Sequence, residues 1–329
     1  MRRLAAMSRK ARVQALQPVP WFPILRPRPG WCREGQREVD GVCIRSLGMF
    51  YIPKYFKSLD AYWLYRSIIG ELSALRRRGS LHVIDAHFAY PDGVGCVMAA
   101  RQLGLPVVVT VRGVEEEYLE EASIGVKIRD ALANADGCIC VSHSLRERMI
   151  EAGVPESRTR VIHNGVDRGV FAPGNRESAR AELGIGQGER LIVSVGNLLS
   201  VKCHDVLLRA FAALQQKMSK TRLVIIGGAS YEPGEPDRLK RLCSELGIAS
   251  RVRFAGRLPT AAVAAWLRAA DAFALASRRE GCCNALLEAL STGVPAVVTA
   301  VGDKGADIVE EGQGRNVINP MAIHAHPEN

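Results

Sequence analysis

The sequence predicts an α/β chain of two doubly wound domains, each a parallel sheet covered by helices. Three observations carry this reading. Short β-branched runs alternate with helical patterns of about ten residues. The alternation halts after Phe171 and restarts near Leu191. And 329 residues, 47% hydrophobic and 24% charged, are ordinary material for two soluble cores rather than for a disordered chain.

In the first block, residues 81–87 (LHVIDAH), 106–111 (PVVVTV), 137–141 (GCICV) and 160–163 read as buried strands. Residues 93–103, 125–135 and 144–152 read as the helices between them. Ahead of residue 81 the chain is basic and irregular, with no opening strand and Gly-rich turn. Residues 173–190, rich in glycine and charge, read as a hinge with one short helix. The second block has strands at 191–195, 222–226, 251–254, 272–275 and 296–299, with helices between. Two such blocks make two domains, 1–173 and 174–329, with a cleft between them and ligands at the carboxyl ends of the strands. Residues 312–329 show no helical periodicity, and the pair His324 and His326 there is read as tail rather than as a metal site.

Charge is placed unevenly. The net charge is +10, and residues 1–90 hold 16 Lys/Arg against 6 Asp/Glu, while the remainder is balanced at 28 of each. Such a basic first domain reads either as a surface for anionic lipid or a phosphorylated substrate, or as a solvated face without a partner. Nucleic acid is not expected, because the basic residues are not interleaved with aromatics in an RNA- or DNA-binding pattern. No run reaches the 18–20 apolar residues, roughly, that span a bilayer, and the basic start lacks an apolar signal-peptide stretch. The nine cysteines include no CxxC pair, and reduced thiols in a cytoplasmic protein are the expectation.

The chemistry concentrates in SRREGCCNALLEALSTGVP at 277–295. A strand leads to Gly281 and then to a helix for which Asn284 is the expected N-cap. Helix-start amides and Gly281 offer an anion site. Glu280 lies before the helix and Glu288 one turn inside it. The two carboxylates can serve opposite ends of an elongated ligand, because a carboxylate accepts paired hydrogen bonds from a vicinal diol. Competing motifs fail: Gly93-Val-Gly95-Cys-Val-Met98 lacks the third small residue of a dinucleotide fingerprint. There is also no GxxxxGK[ST], no GxSxG and no DxD.

These residues resemble the retaining GT-B glycosyltransferases of family 4, the glycosyl transferases group 1 domain. Glu280 and Glu288 match that family's E-x7-E, and Thr292-Gly293-Val294-Pro295 its small-Gly-x-Pro turn. VSVGNLLSVKCHD at 193–205 resembles its V-G-[R/N]-L-x-x-x-K-G, with Gly196 at the turn, Asn197 where arginine often stands, and Lys202 as the cation. IDAHFAYPDG at 84–93 resembles its strand-end histidine segment. There His87 matches the active-site histidine, and Asp85 replaces the first histidine of the usual pair. Arg112-Gly113 and Ser142-His143-Ser144 resemble the next strand-end and helix-start motifs, and VIHNGVDRGVF at 161–171 resembles a largely structural segment ending the first domain.

The resemblance implies a GT-B pair of Rossmann-like domains that close on the substrate. It implies transfer of a hexosyl group from a UDP- or GDP-linked sugar to a hydroxyl acceptor, with retention and without metal or cofactor. Lys202 would hold the diphosphate, Glu288 the ribose, Glu280 with the Gly281 and Cys282 amides the sugar, and His87 the donor sugar near the reacting centre. Arg112, Gly196, Asn197, Asn284 and Leu287 join the substrate-binding set. With the basic first domain, this suggests a lipid-linked or polysaccharide acceptor at the inner membrane face. Compared with the family the chain looks shortened: its first strand and Gly-rich loop are missing, Met1–Arg12 resembles the tail of the first helix, and residues 13–17 the second strand. The closing helices and the G-x-P-E segment, here GDKGAD at 302–307, also depart. A nucleotide-sugar epimerase of the same shape and an inactive fragment that binds nucleotide at most are the alternatives.

Overall fold

The computed structural model describes residues 2–23, 35–39, 41–53, 55–229, 232 and 234–301. The segment 302–307 and the pair His324 and His326 lie outside these. The chain divides into two compact units, Met1–His163 and Asn164–Asn329. The division falls ten residues before the expected 173/174 boundary, because Phe171 is part of the second unit's core and Val166 and Val170 pack against it.

In the first unit, helix α1 (Arg2–Ser8) leads to a small sheet of β1 (Gln14–Trp21), β2 (Gln36–Val39) and β3 (Val42–Phe50). Its order is β1-β3-β2, with β1 parallel and β2 antiparallel to β3. The strand expected at 13–17 runs on through Pro18 and Pro20. Prolines are tolerated there because β1 is an edge strand of this sheet. Helix α2 (Asp60–Arg77) buries Ala61, Leu64, Ile68 and Leu72 at helical spacing. It and the β2–β3 hairpin occupy the stretch that reads as irregular in the sequence.

The four predicted strands form a parallel sheet in the order β4 (Ile84–His87), β5 (Val107–Val111), β6 (Gly137–Cys140), β7 (Thr159–Val161). Between them lie α3 (Val94–Leu103), α4 (Glu115–Glu120), α5 (Ala122–Asn134) and α6 (His143–Glu151), the last capped by Ser142 Oγ accepting the Leu145 N–H. Gly93 and Gly95 serve packing. An added Cβ at Gly93 would sit 2.8 Å from a Val109 methyl, and one at Gly95 2.9 Å from the Ala61 carbonyl oxygen.

The second unit starts with α7 (Arg176–Glu182). It continues through β8 (Arg190–Val195), α8 (His204–Lys217), β9 (Thr221–Ile226), α9 (Glu235–Glu245), β10 (Val252–Gly256), α10 (Thr260–Ala269), β11 (Ala272–Leu275), α11 (Asn284–Ser291) and β12 (Ala296–Val298). All five strands are parallel, in the order β10-β9-β8-β11-β12. Strand β9 alternates between two cores. Leu223 and Ile225 face Leu208, Phe211 and Leu239, while Val224 and Ile226 face Val193, Leu267 and Phe273. That burial on both faces explains its unbroken apolar run. The strand order reverses between β8 and β11, which is where such sheets open a crevice at their carboxyl ends.

Among the described residues no helix is long and apolar enough to cross a membrane. The eight described cysteines are unbridged.

Candidate functional site

The loops that leave β8 and β11 at the reversal point carry the second unit's expected residues. After β8 the chain turns at Gly196, whose N–H donates to the Ile226 carbonyl at 2.9 Å. The neighbouring Gly227 makes that approach possible, since a Cβ there would lie 1.8 Å from the Gly196 oxygen. Gly196 itself faces only the alkyl chain of Lys202, at ordinary contact distance. Residues Ser200–Lys202 form one 3-10 turn before α8.

Lys202 is brought to Glu280. Its Nζ donates to Glu280 Oε1 at 2.5 Å, and Ser277 Oγ donates to the same oxygen at 2.6 Å. The pair is largely shielded, with side-chain exposures of 21% and 14%. The loops are also tied through backbone, the Arg278 N–H donating to the Val201 carbonyl at 2.8 Å. Ser277 is held in turn by Thr299, whose Oγ1 donates to the Ser277 carbonyl at 2.6 Å. A largely shielded ion pair at a sheet's reversal point is expensive to break without a replacement partner for each charge.

Behind Lys202 stands His204, fully buried. Its Nε2 lies 3.2 Å from the Asn197 carbonyl and must carry the proton, because a carbonyl only accepts. Burial is the main reason its pKa falls below the ordinary value; the Asn197 carbonyl opposes this and the Lys202 charge adds to it. A neutral His204 therefore props the Gly196–Lys202 turn from beneath, while the Asn197 side of that turn is exposed.

Helix α11 differs from expectation at its start. Asn284 is its first helical residue and is exposed, and the N-cap is Cys283, whose side chain makes no capping hydrogen bond. The physical reason is that Cys283 is the residue with extended backbone (φ −75°, ψ 99°), as an N-cap requires, while its buried side chain is a weak acceptor. Its thiol is pushed up to about 12, by burial first and by Glu280 second. Gly281 and Cys282 lie half-buried in the loop before the helix, and Leu287 and Glu288 are half-buried on it. The arrangement offers a lysine, a carboxylate and a helix start without a side-chain cap, a set suited to a phosphorylated polyol.

In the first unit, His87 ends β4 and Arg112 follows β5. An Arg112 guanidinium N–H donates to His87 Nδ1 at 3.1 Å, which leaves the ring proton on Nε2, 3.5 Å from Asp85 Oδ2. Arg3 approaches the same carboxylate at 3.7 Å. Burial raises the Asp85 pKa, but the hydrogen bond from His87 and then the charges of Arg3 and Arg112 hold it below the ordinary carboxylate value. Asp85, which departs from the expected histidine, thus fixes the ring from one side as Arg112 does from the other.

The spacing gave no sign of Glu115. It is 1% exposed and accepts the N–H groups of Ala89 at 3.0 Å, Arg112 at 2.9 Å and Gly113 at 2.6 Å. This carboxylate locks the loops after β4 and β5 together. Phe88, between His87 and Ala89, adopts a positive φ of 70°, uncommon outside glycine. Among the described residues no three His, Cys, Asp or Glu side chains converge as a metal site.

Residues 24–169 match the family described as Glycosyltransferase Family 4, and residues 175–326 match Glycosyl transferases group 1. The D-inositol 3-phosphate glycosyltransferase of Mycobacteroides abscessus is 28% identical over 292 residues, covering 84% of this chain and 64% of that protein. Its counterpart from Mycobacterium bovis is 30% identical over 283 residues, covering 81% of this chain and 57% of its own length. The chain thus spans less than two thirds of these curated relatives. Among solved structures, sucrose-phosphate synthase from Thermosynechococcus elongatus superposes with a TM-score of 0.77 at 20% identity, over 97% of this chain and 78% of that one. Anabaena HepE in complex with UDP and glucose gives 0.67 at 20% identity, over 82% of this chain and 70% of that one.

Proposed function

Since this chain belongs to the family 4 glycosyltransferases, we propose that it transfers a hexosyl group from a UDP- or GDP-linked sugar to a hydroxyl acceptor, with retention. The observation that carries this is the meeting of Lys202 and Glu280 at the reversal point of the second sheet. A nucleotide-sugar brings what that ion pair needs in order to open. Its diphosphate replaces Glu280 as the partner of Lys202, and the hexose hydroxyls replace Lys202 as donors to Glu280. Neither charge is left buried alone.

In this reading Lys202 and the uncapped start of α11 neutralise the charge that builds on the departing diphosphate, the role a divalent ion plays elsewhere. Glu288 takes the ribose diol, and the amides of Gly281 and Cys282 join Glu280 on the sugar. His87, its ring fixed by Arg112 and Asp85, serves the donor sugar near the reacting carbon. A known structural neighbour holds UDP and glucose, which supports the donor class. The names of the curated relatives include a phosphorylated polyol, and the basic first unit suits such an anionic acceptor, or a lipid-linked one at the inner membrane face.

Isothermal titration with UDP and GDP, followed by radiolabelled donor hydrolysis, tests the reading. Lys202→Ala and Glu288→Ala are each expected to weaken nucleotide binding about tenfold or more. Unchanged binding in both would end the site assignment. Binding without any turnover would leave a nucleotide-binding protein, and recovery of an epimerised donor sugar would favour epimerase chemistry.

A further inference from the structure

A cavity of about 440 Å³ opens in the first unit at the end of α2 away from His87. Helix α2 has 18 residues, so it is about 27 Å long. Its first turns lie against the start of α3, just after the loop that follows His87, where the Ala61 carbonyl and Leu64 approach Gly95. The cavity is lined at its other end, by Leu75 and Arg78, and so forms a second site. Arg12 and Gln14 enter it from the start of β1, and Arg45 from β3.

Basic residues in the last turn of a helix are ordinary, since they complement its carbonyl end. Here, however, arginines from three separate places line one hollow. The only carboxylate among the described lining residues is Glu71, which is 11% exposed and already bonded to Arg45 at 2.7 Å. Four basic residues adjoining these in sequence, Arg76 and Arg77 on α2 and Arg9 and Lys10 beyond α1, are exposed. The hollow therefore concentrates positive charge that no described lining carboxylate balances, in the third of the sequence that holds the whole basic excess.

We infer that this cavity binds a phosphate ester, with Arg12 and Arg78 as the groups that grip it and Arg45, steadied by Glu71, as its back wall. Guanidinium forks match phosphate oxygens in pairs. The ester is carried either by a soluble molecule or by an anionic phospholipid, and both present the same oxygens. The site stands independently of the transferase reading, because none of its residues lies at the Lys202–Glu280 pair or beside His87.

The test uses the full chain with two probes, glycerol 3-phosphate by titration calorimetry and phosphatidylcholine vesicles with and without phosphatidylglycerol by flotation. Two variants are compared, Arg12→Gln/Arg78→Gln and Ser80→Glu; Ser80 is exposed and lines the same cavity, so a carboxylate there repels the ligand. About tenfold or greater weakening is expected in each, with UDP affinity unchanged and melting temperature preserved. Loss of glycerol 3-phosphate binding in both variants identifies a soluble ester. Loss confined to phosphatidylglycerol vesicles identifies a lipid headgroup. If neither probe binds, or if either variant binds as the parent does, the inference is overturned. A failure to bind UDP would refute the donor site and leave this one standing.

Discussion

Glu115 shows how much a single buried carboxylate can organise. It satisfies three backbone N–H groups from two loops, and each bond to a charged acceptor is stronger than a neutral one. Glu115→Gln keeps the shape but presents an NH2 group where an oxygen accepted. The expected cost is about 1–3 kcal/mol, read from urea unfolding. Asp92, two residues beyond Tyr90, behaves oppositely. Burial lifts its pKa from 3.8 to about 6, with its own backbone N–H and His87 opposing. Between those values the folded chain holds a proton that the unfolded chain has released, so stability falls as pH rises through that window. Asp92→Asn should raise the melting temperature at pH 7, and the gain should vanish near pH 4, as a thermal-shift series would show. The meeting of Lys202 with Glu280 was legible because their motifs have fixed spacing. Glu115 and His204 were not, because a side chain that serves backbone groups leaves no periodic trace in sequence.

At the scale of elements, the second sheet depends on how tightly β9 and the turn after β8 come together. Gly227→Ala puts a methyl group 1.8 Å from the Gly196 oxygen, and backbone must move to admit it. The turn that carries Lys202 would shift with it, so a lower melting temperature and weakened UDP binding are expected together in calorimetry; loss of neither would show that the turn yields freely. The segment before β8 is fastened differently. Asp271 accepts the Leu191 N–H at 2.7 Å and pairs with Arg176 and, at 3.3 Å, Arg180 on α7. Burial raises its pKa, but the Leu191 N–H and then Arg176 and Arg180 hold it below the ordinary value. Its contribution is therefore present above pH 4, roughly, and lost as pH falls through the depressed folded value. Asp271→Asn should lower the melting temperature at pH 7, with the difference shrinking in acid. The strands of this unit were legible almost to the residue, most clearly β9, whose burial on both faces gives an unbroken apolar run. The hairpin β2–β3 was not, because charged residues surround it, and prolines obscure the full length of β1. Cys283 took the N-cap from Asn284 through backbone geometry that composition does not encode.

Over the whole molecule, the decisive feature is that each unit carries its own parallel sheet, and the second unit's two cores draw only on its own residues. Alternation of strand and helix made this division legible, but its position depended on Phe171, whose packing side no pattern reveals. Two such units should melt in two transitions, since cooperativity follows shared packing. UDP, binding through Lys202 and α11 of the second unit, should then raise one transition and leave the other. At a hundredfold excess over Kd the stabilisation is about 2.7 kcal/mol, or about 5–10 °C for a unit of this size. Gly227→Ala should lower that same transition and Glu115→Gln the other, which assigns each peak to a unit by an independent route. Differential scanning calorimetry of the parent and both variants, with and without UDP, reads all of this in one series. A single transition that UDP raises as a whole would mean that the units unfold as one body. A UDP shift confined to the peak that Glu115→Gln lowers would move the nucleotide to the first unit and leave Lys202 with no part in holding it.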